Sequence, residues 1–135
     1  MNIIELKKIN KFFGQGNNRV HVLKNIDLSI EKGDFVAIIG QSGSGKSTLM
    51  NIIGVLDKPT AGEYVLDGVN IHDADDNDLA AIRNRKIGFV FQNYNLLPKT
   101  TAVENVELPL MYNPSYSAAE RHKKAVESLI AVGLG

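Results

Sequence analysis

One stretch constrains this chain more than any other: Gly40-Gln41-Ser42-Gly43-Ser44-Gly45-Lys46-Ser47-Thr48. It fits G-x-x-x-x-G-K-[S/T], a loop that wraps phosphate groups. A triphosphate needs many donors at close range, and backbone N–H groups supply them only where the chain coils tightly around the anion. Glycines at 40, 43 and 45 permit the required φ/ψ values and leave no Cβ in the way. Lys46 would bring a point charge to the β- and γ-phosphates, and the Ser47 hydroxyl would bind Mg²⁺. A helix starting near Lys46 would aim its positive end at the same phosphates. The candidate nucleotide-binding residues are Gly40, Ser42, Gly43, Ser44, Gly45, Lys46, Ser47 and Thr48, with Lys46 also a catalytic candidate and Ser47 a metal ligand.

The flanks agree with that reading. Such a loop follows a strand and opens a helix. Phe35-Val36-Ala37-Ile38-Ile39 is a short apolar run of the kind a buried strand shows, and Leu49-Met50-Asn51-Ile52-Ile53 continues as a buried helix before Gly54. A flexible Gly/Ser-rich loop would explain neither the lysine, nor the Ser-Thr pair, nor these flanks.

With 135 residues the chain is one domain or part of one. Its 44 % hydrophobic and 22 % charged content are those of an ordinary globular protein. Fifteen basic and fifteen acidic residues cancel, so the basic footprint of a nucleic-acid binder is missing and no nucleic-acid partner is expected. There is no cysteine, which removes disulfide and thiol chemistry and suits a reducing compartment. The N-terminus is charged too early for a signal peptide, and no apolar run approaches the ~18 residues of a membrane span.

Taken in order, Ile3 to Ile9 reads as a strand and Lys11 to Asn18 as a loop. Val20 to Ile30 reads as a second strand, in which Ile26, Leu28 and Ile30 alternate with Asp27 and Ser29, so one face is wet. Two strands so close together point to an antiparallel layer leading into an α/β core. Tyr64-Val65-Leu66, Asp67-Gly68 and Val69-Asn70-Ile71 form a hairpin signal, because Asp-Gly favours a type I′ turn. Asp76 to Lys86 reads as a polar helix covered along Leu79, Ala80 and Ile82, and Ile87 to Phe91 as a buried strand followed directly by Gln92. Thr101-x-x-Glu104 and Ser117-x-x-Glu120 are capping boxes. After the second, Ala118, His122, Ala125, Val126, Leu129 and Ile130 keep helical spacing until Gly133 stops the helix.

These residues together resemble the nucleotide-binding subunit of an ATP-binding cassette (ABC) transporter over essentially the whole chain. Besides the phosphate loop, the resemblance is carried by Val22 to Leu28, Leu56-Asp57-Lys58-Pro59-Thr60-Ala61-Gly62 and Ile87-Gly88-Phe89-Val90-Phe91-Gln92. The run Asn95 to Pro98 with Thr101 to Leu110 looks most like the branch of lipoprotein-release and macrolide-export ATPases. The resemblance implies an α/β fold, a phosphate-loop NTPase core with an N-terminal antiparallel β layer. It implies ATP and Mg²⁺ as ligands, a second ATP-binding subunit that dimerises on ATP binding, transmembrane permease partners, and a cytoplasmic position at the inner face of the membrane. Phe13 falls where the family stacks an aromatic ring on adenine, with Phe12 competing for the role. Gln92 falls where a glutamine touches Mg²⁺ and the attacking water, as a catalytic and metal-binding candidate. Asn93 to Pro98 falls where members meet the coupling helix of their membrane subunits.

The sequence departs from the family after that glutamine. It contains no Leu-Ser-Gly-Gly signature, no apolar strand ending in Asp-Glu and no switch histidine. Residues 1–135 are therefore expected to be the N-terminal part of an ABC-type ATP-binding domain, truncated before the signature segment, which binds ATP without turning it over. Two alternatives stand beside it. A GTPase is disfavoured because neither Asp-x-x-Gly nor Asn-Lys-x-Asp occurs, and a small-molecule kinase would need an acceptor pocket to which no stretch points. The other alternative is a non-catalytic nucleotide-binding fragment or interaction piece, separated from a working transporter subunit by the absence of turnover. Asp73-x-Asp75-x-Asn77 begins like a calcium loop but has Asp78 where glycine is needed, so it is expected to cap a helix.

Overall fold

In the computed structural model, which describes residues 1–41 and 43–135, the chain divides into a first unit, residues 1–80, and a second, residues 81–135. The first unit is built on a four-stranded sheet in the order β2-β1-β3-β4. Its strands are β1 (Asn2–Phe13), β2 (Val20–Glu31), β3 (Ala61–Leu66) and β4 (Val69–Asn70). All pairings are antiparallel, so the expected N-terminal antiparallel layer is present. Helix α1 (Lys46–Ile53) follows the phosphate loop and ends at Gly54. Helix α2 (Asp76–Lys86) runs across the boundary at residue 80.

Burial explains the layer. Leu6 and Ile9 of β1, Leu23 of β2, and Tyr64 and Leu66 of β3 are buried together with Ile52 and Val55 at the end of α1, Ile71 and Leu79. Along β2, Ile26, Leu28 and Ile30 are half-covered while Asp27 and Ser29 are exposed, the alternation expected of a sheet with one wet face. The β3–β4 turn has φ of 48° at Asp67 and 80° at Gly68, the two positive values a type I′ turn needs. Ile71 leaves the hairpin and enters a short 3₁₀ turn.

β1 is irregular in one place that matters. Its register with β2 and β3 slips after Leu6 and Lys7, and Lys8 sits at φ 51°. Asn10 holds the irregularity: its amide donates to the Lys8 carbonyl at 2.9 Å and to Asn25 Oδ1 at 3.0 Å, and its Oδ1 accepts from the Asn25 N–H at 3.1 Å. Gly62 crosses there at φ 102°, and a Cβ on it would lie 2.4 Å from the Lys8 carbonyl oxygen.

In the second unit, α3 (Ala102–Leu110) and α4 (Ala118–Ala131) are joined by a short turn, and both capping boxes close as the sequence indicates. Thr101 and Ser117 accept from the N–H groups of Glu104 and Glu120 at 3.1 and 3.2 Å. α4 ends in a Schellman motif, with Gly133 at φ 83° and the Leu134 N–H donating to the Leu129 carbonyl at 2.8 Å. Ala125 is buried, and Glu107 of α3 meets His122 of α4 at 2.8 Å.

Three sequence expectations are corrected. β1 extends to Phe13, because Lys11, Phe12 and Phe13 pair with Leu23, His21 and Val20, a partner the local loop signals of Lys11 to Asn18 do not reveal. Phe35 to Ile39 and Ile87 to Phe91 are not strands: both are irregular, and Phe35, Ile39 and Val90 are almost fully exposed. A buried strand exists only where ladder partners satisfy its N–H and C=O groups, and among the described residues neither run has one.

Two substitutions test this account. Gly62→Ala should lose on the order of 2 kcal/mol in urea unfolding, because it puts a Cβ into the Lys8 carbonyl at a positive φ. Tyr64 is buried, and its hydroxyl donates to the Ile53 carbonyl at 2.5 Å. Burial holds its phenol neutral and raises its pKa above the ordinary 10.0. The stability this contributes is complete below about pH 10 and is lost as pH rises from there towards the raised value. Tyr64→Phe should therefore lower neutral-pH stability by about 1 kcal/mol and flatten the alkaline decline.

Candidate functional site

Helix α1 begins at Lys46, where the sequence places a helix start. Gly43 has φ 82° and Gly45 φ 94°, both in the left-handed region that glycine occupies freely. Gly45 is the N-cap of α1, with no side chain capping the helix and no acidic residue in its first turn. The first helical bond runs from the Leu49 N–H to the Gly45 carbonyl at 2.9 Å, so the amides of Lys46, Ser47 and Thr48 precede the α-helical ladder. Space is tight at Gly45 as well: a Cβ would stand 3.1 Å from Leu23 Cδ2 and 3.4 Å from Val22 Cγ1. The loop is thus pressed onto β2. A Cβ at Gly40 would meet Ser44 Oγ at 2.7 Å, and the Ser44 N–H donates to the Gln41 carbonyl at 3.1 Å.

Lys46 arches back across the loop, and its ammonium donates to the Gly40 carbonyl. The charge is held over the same arc that the glycines open. Ser47 is exposed, and Thr48 half-buried, in the first turn of the helix. Ser42 lies outside the described residues.

The two adjacent phenylalanines are sorted by what touches them. The Phe12 ring stacks on His21 with centroids 4.0 Å apart and lies 3.8 Å from the Arg19 guanidinium. His21 is in turn fixed by Asn10, 2.9 Å from its Nε2. Phe13 is 44 % exposed and has the Lys11 ammonium 5.2 Å from its centroid. Phe12 is engaged by the sheet; Phe13 keeps ring surface to offer.

Gln92 belongs to the second unit, exposed, after the irregular run Ile87 to Phe91. The segment beyond it presents Tyr94, Leu96 and Leu97 to solvent. Asn105, which the sequence does not single out, ties this segment to α3. Its Oδ1 accepts from the Leu97 N–H at 2.8 Å, and its amide donates to Thr100 Oγ1 at 2.8 Å and to the Thr101 carbonyl at 2.9 Å. An asparagine one turn into a capped helix is the only signal that could have marked it.

The acidic run behaves as a cap: Asp75 Oδ1 accepts from the Asp78 N–H at 2.8 Å at the start of α2. No helix among the described residues is long and apolar enough to cross a membrane.

A glycine-capped helix start with a lysine drawn back across the loop is the local geometry that the G-x-x-x-x-G-K-[S/T] pattern describes. The chain belongs to the ABC transporter family, whose model matches residues 23–134. It is 58 % identical over 134 residues to the macrolide export ATP-binding/permease protein MacB of Mannheimia succiniciproducens, an alignment covering 99 % of this chain and 21 % of that protein. It is 52 % identical over 129 residues to the ABC transporter ATP-binding protein MJ0796 of Methanocaldococcus jannaschii, covering 94 % of this chain and 55 % of that one. The dimeric structure of MJ0796 in a post-hydrolysis state, bound to ADP and Pi, superimposes with a TM-score of 0.83 at 50 % identity, over 94 % of this chain and 56 % of that one. The fold is that of the N-terminal part of a phosphate-loop NTPase cassette. The chain spans about a fifth of the MacB relative and about half of MJ0796.

Asn105→Ala should release the segment after Gln92. The Leu97 amide should exchange its hydrogen about tenfold faster or more, while amides in the middle of α4 keep their protection.

Proposed function

We propose that residues 1–135 form the N-terminal part of an ABC-type ATP-binding domain that holds Mg·ATP on the loop Gly40 to Thr48. The observation that carries this reading is the start of α1, where glycine caps the helix, no acid opposes an anion and Lys46 already spans the loop. The residues fit the ligand. The backbone N–H groups at 43 to 48 would take the phosphate oxygens, Lys46 would exchange the Gly40 carbonyl for the β- and γ-phosphates, and the Ser47 hydroxyl would serve the metal ion. Thr48, Ser44 and Ser42 complete the donor set. Phe13 would stack on the purine, because its ring is exposed where the Phe12 ring is engaged.

Bound Mg·ATP would supply the phosphoryl group whose transfer to water the family performs. Of this chain's residues, Lys46 would balance charge on the γ-phosphate and Gln92 would orient water and metal. No residue here takes the role of general base, and the sequence has no Leu-Ser-Gly-Gly or Asp-Glu motif, so this chain binds without turning over. In the longer protein, two such domains would close over nucleotide and drive transmembrane permease partners from the inner face of the membrane. The dimeric cassette relative supports the first part, and the ATP-binding/permease relative supports the second. Binding would drive the shape change and hydrolysis would reset it.

Calorimetric titration of Mg·ATP into this chain, beside Lys46→Ala, tests the proposal. Saturable binding is expected, with Lys46→Ala weaker by about 10- to 100-fold and phosphate release at background in both. Equal affinity in the two proteins, or no heat from a folded chain, would remove the phosphate loop as the site.

A further inference from the structure

Lys11 makes three contacts that together tie the exposed ring of Phe13 to the helix of the phosphate loop. Its ammonium forms an ion pair with Asp57 Oδ2 at 3.0 Å, donates to the Lys58 carbonyl at 2.8 Å and lies over the Phe13 ring at 5.2 Å from the centroid. The Lys11 side chain is only 13 % exposed, which distinguishes it from a solvated surface lysine. A lysine loses much rotamer freedom when fixed this way, so the fixed geometry calls for an explanation.

The far end of the tie is anchored directly to α1. The N–H groups of Leu56 and Asp57 both donate to the Asn51 carbonyl, at 2.8 and 3.2 Å, and Asp57 Oδ1 accepts from the Lys58 N–H at 2.8 Å. The near end is held by backbone: the Thr60 N–H donates to the Asn10 carbonyl at 2.8 Å, and the Phe12 N–H donates to Thr60 Oγ1 at 3.0 Å. Residues 57–60 therefore clamp the end of β1 to the end of α1. Lys11 is the one side chain in that clamp whose charge reaches the Phe13 ring.

Resting on the nucleotide-binding reading above, we infer that Lys11 is a positioning residue for the purine base. It occupies one side of the Phe13 ring as a cation–π partner, leaves the ring's remaining surface to the base, and fixes the ring's distance from the phosphate-binding amides through Asp57. A base and a triphosphate are joined by a sugar of fixed reach, so an aromatic ring contributes only if it is held in register with the phosphate site. Phe12 cannot take this place, since His21 and Arg19 hold its ring.

The test separates base from phosphate. Mg·ATP and Mg·tripolyphosphate are titrated calorimetrically into the chain and into Lys11→Met, Asp57→Asn and Phe13→Ala. Lys11→Met keeps the aliphatic stem and removes the charge. ATP affinity should fall about threefold to fivefold in Lys11→Met and about tenfold in Phe13→Ala, with tripolyphosphate affinity unchanged in both. Asp57→Asn should follow Lys11→Met. The double variant Lys11→Met/Phe13→Ala should be no weaker for ATP than Phe13→Ala alone. If Lys11→Met loses both ligands equally, Lys11 only supports the fold and the inference is wrong. If Phe13→Ala loses ATP selectively and Lys11→Met does not, the inference also fails while the stacking role of Phe13 stands. If Phe13→Ala changes nothing, the stacking role and the inference fall together, and only the phosphate loop remains.

Discussion

The first unit depends on β1 being paired along both edges. It takes β2 on one side and β3 on the other, and Leu6 and Ile9 are buried between the layers. An unpaired strand edge in a buried setting would leave a row of N–H and C=O groups unsatisfied, so a strand so placed dictates where its neighbours must run. The slip near Lys8 follows from the same constraint. Asn10 repairs the interrupted ladder from its side chain, and Gly62 is admitted against the Lys8 carbonyl because it has no Cβ.

The phosphate loop inherits its position from this sheet. Gly45 lies close against Val22 and Leu23 of β2, while Ile52 and Val55 at the other end of α1 enter the core with Tyr64. The helix is thus held at both ends by the sheet, and no side chain caps its N-terminus. The same arrangement leaves Lys46 no acid to pair with in the first turn, and it turns to a loop carbonyl instead. Close packing on β2 and a helix start without a side-chain cap meet at one residue, the glycine at 45.

The parts legible from the sequence are those whose cause is local. The bounds of α2, the capping boxes at Thr101/Glu104 and Ser117/Glu120, the Asp67-Gly68 turn and the start of α1 each rest on residues within one turn of each other. The parts that were not legible are those that need a distant partner. Lys11 to Phe13 carries loop signals, yet continues β1 because β2 returns alongside it. Phe35 to Ile39 and Ile87 to Phe91 are as apolar as core strands, but apolarity does not supply a ladder, and both are irregular. In the candidate site, the loop and its helix could be read from spacing; the sorting of Phe12 from Phe13, and the contacts of Lys11 and Asn105, could not.

The sequence by itself determined the chemistry available and the short-range geometry that presents it: glycines that admit positive φ, a lysine and hydroxyls at fixed offsets, and helix starts written in their own caps. Tertiary structure decided which apolar stretches become strands, which of two neighbouring rings stays exposed, and which lysine is drawn out of solvent to stand beside it. The reason is one of range. A cap or a turn is satisfied by atoms a few residues away, whereas a strand, a half-buried cation or a free aromatic face is defined by residues tens of positions apart, as Lys11 and Asp57 are.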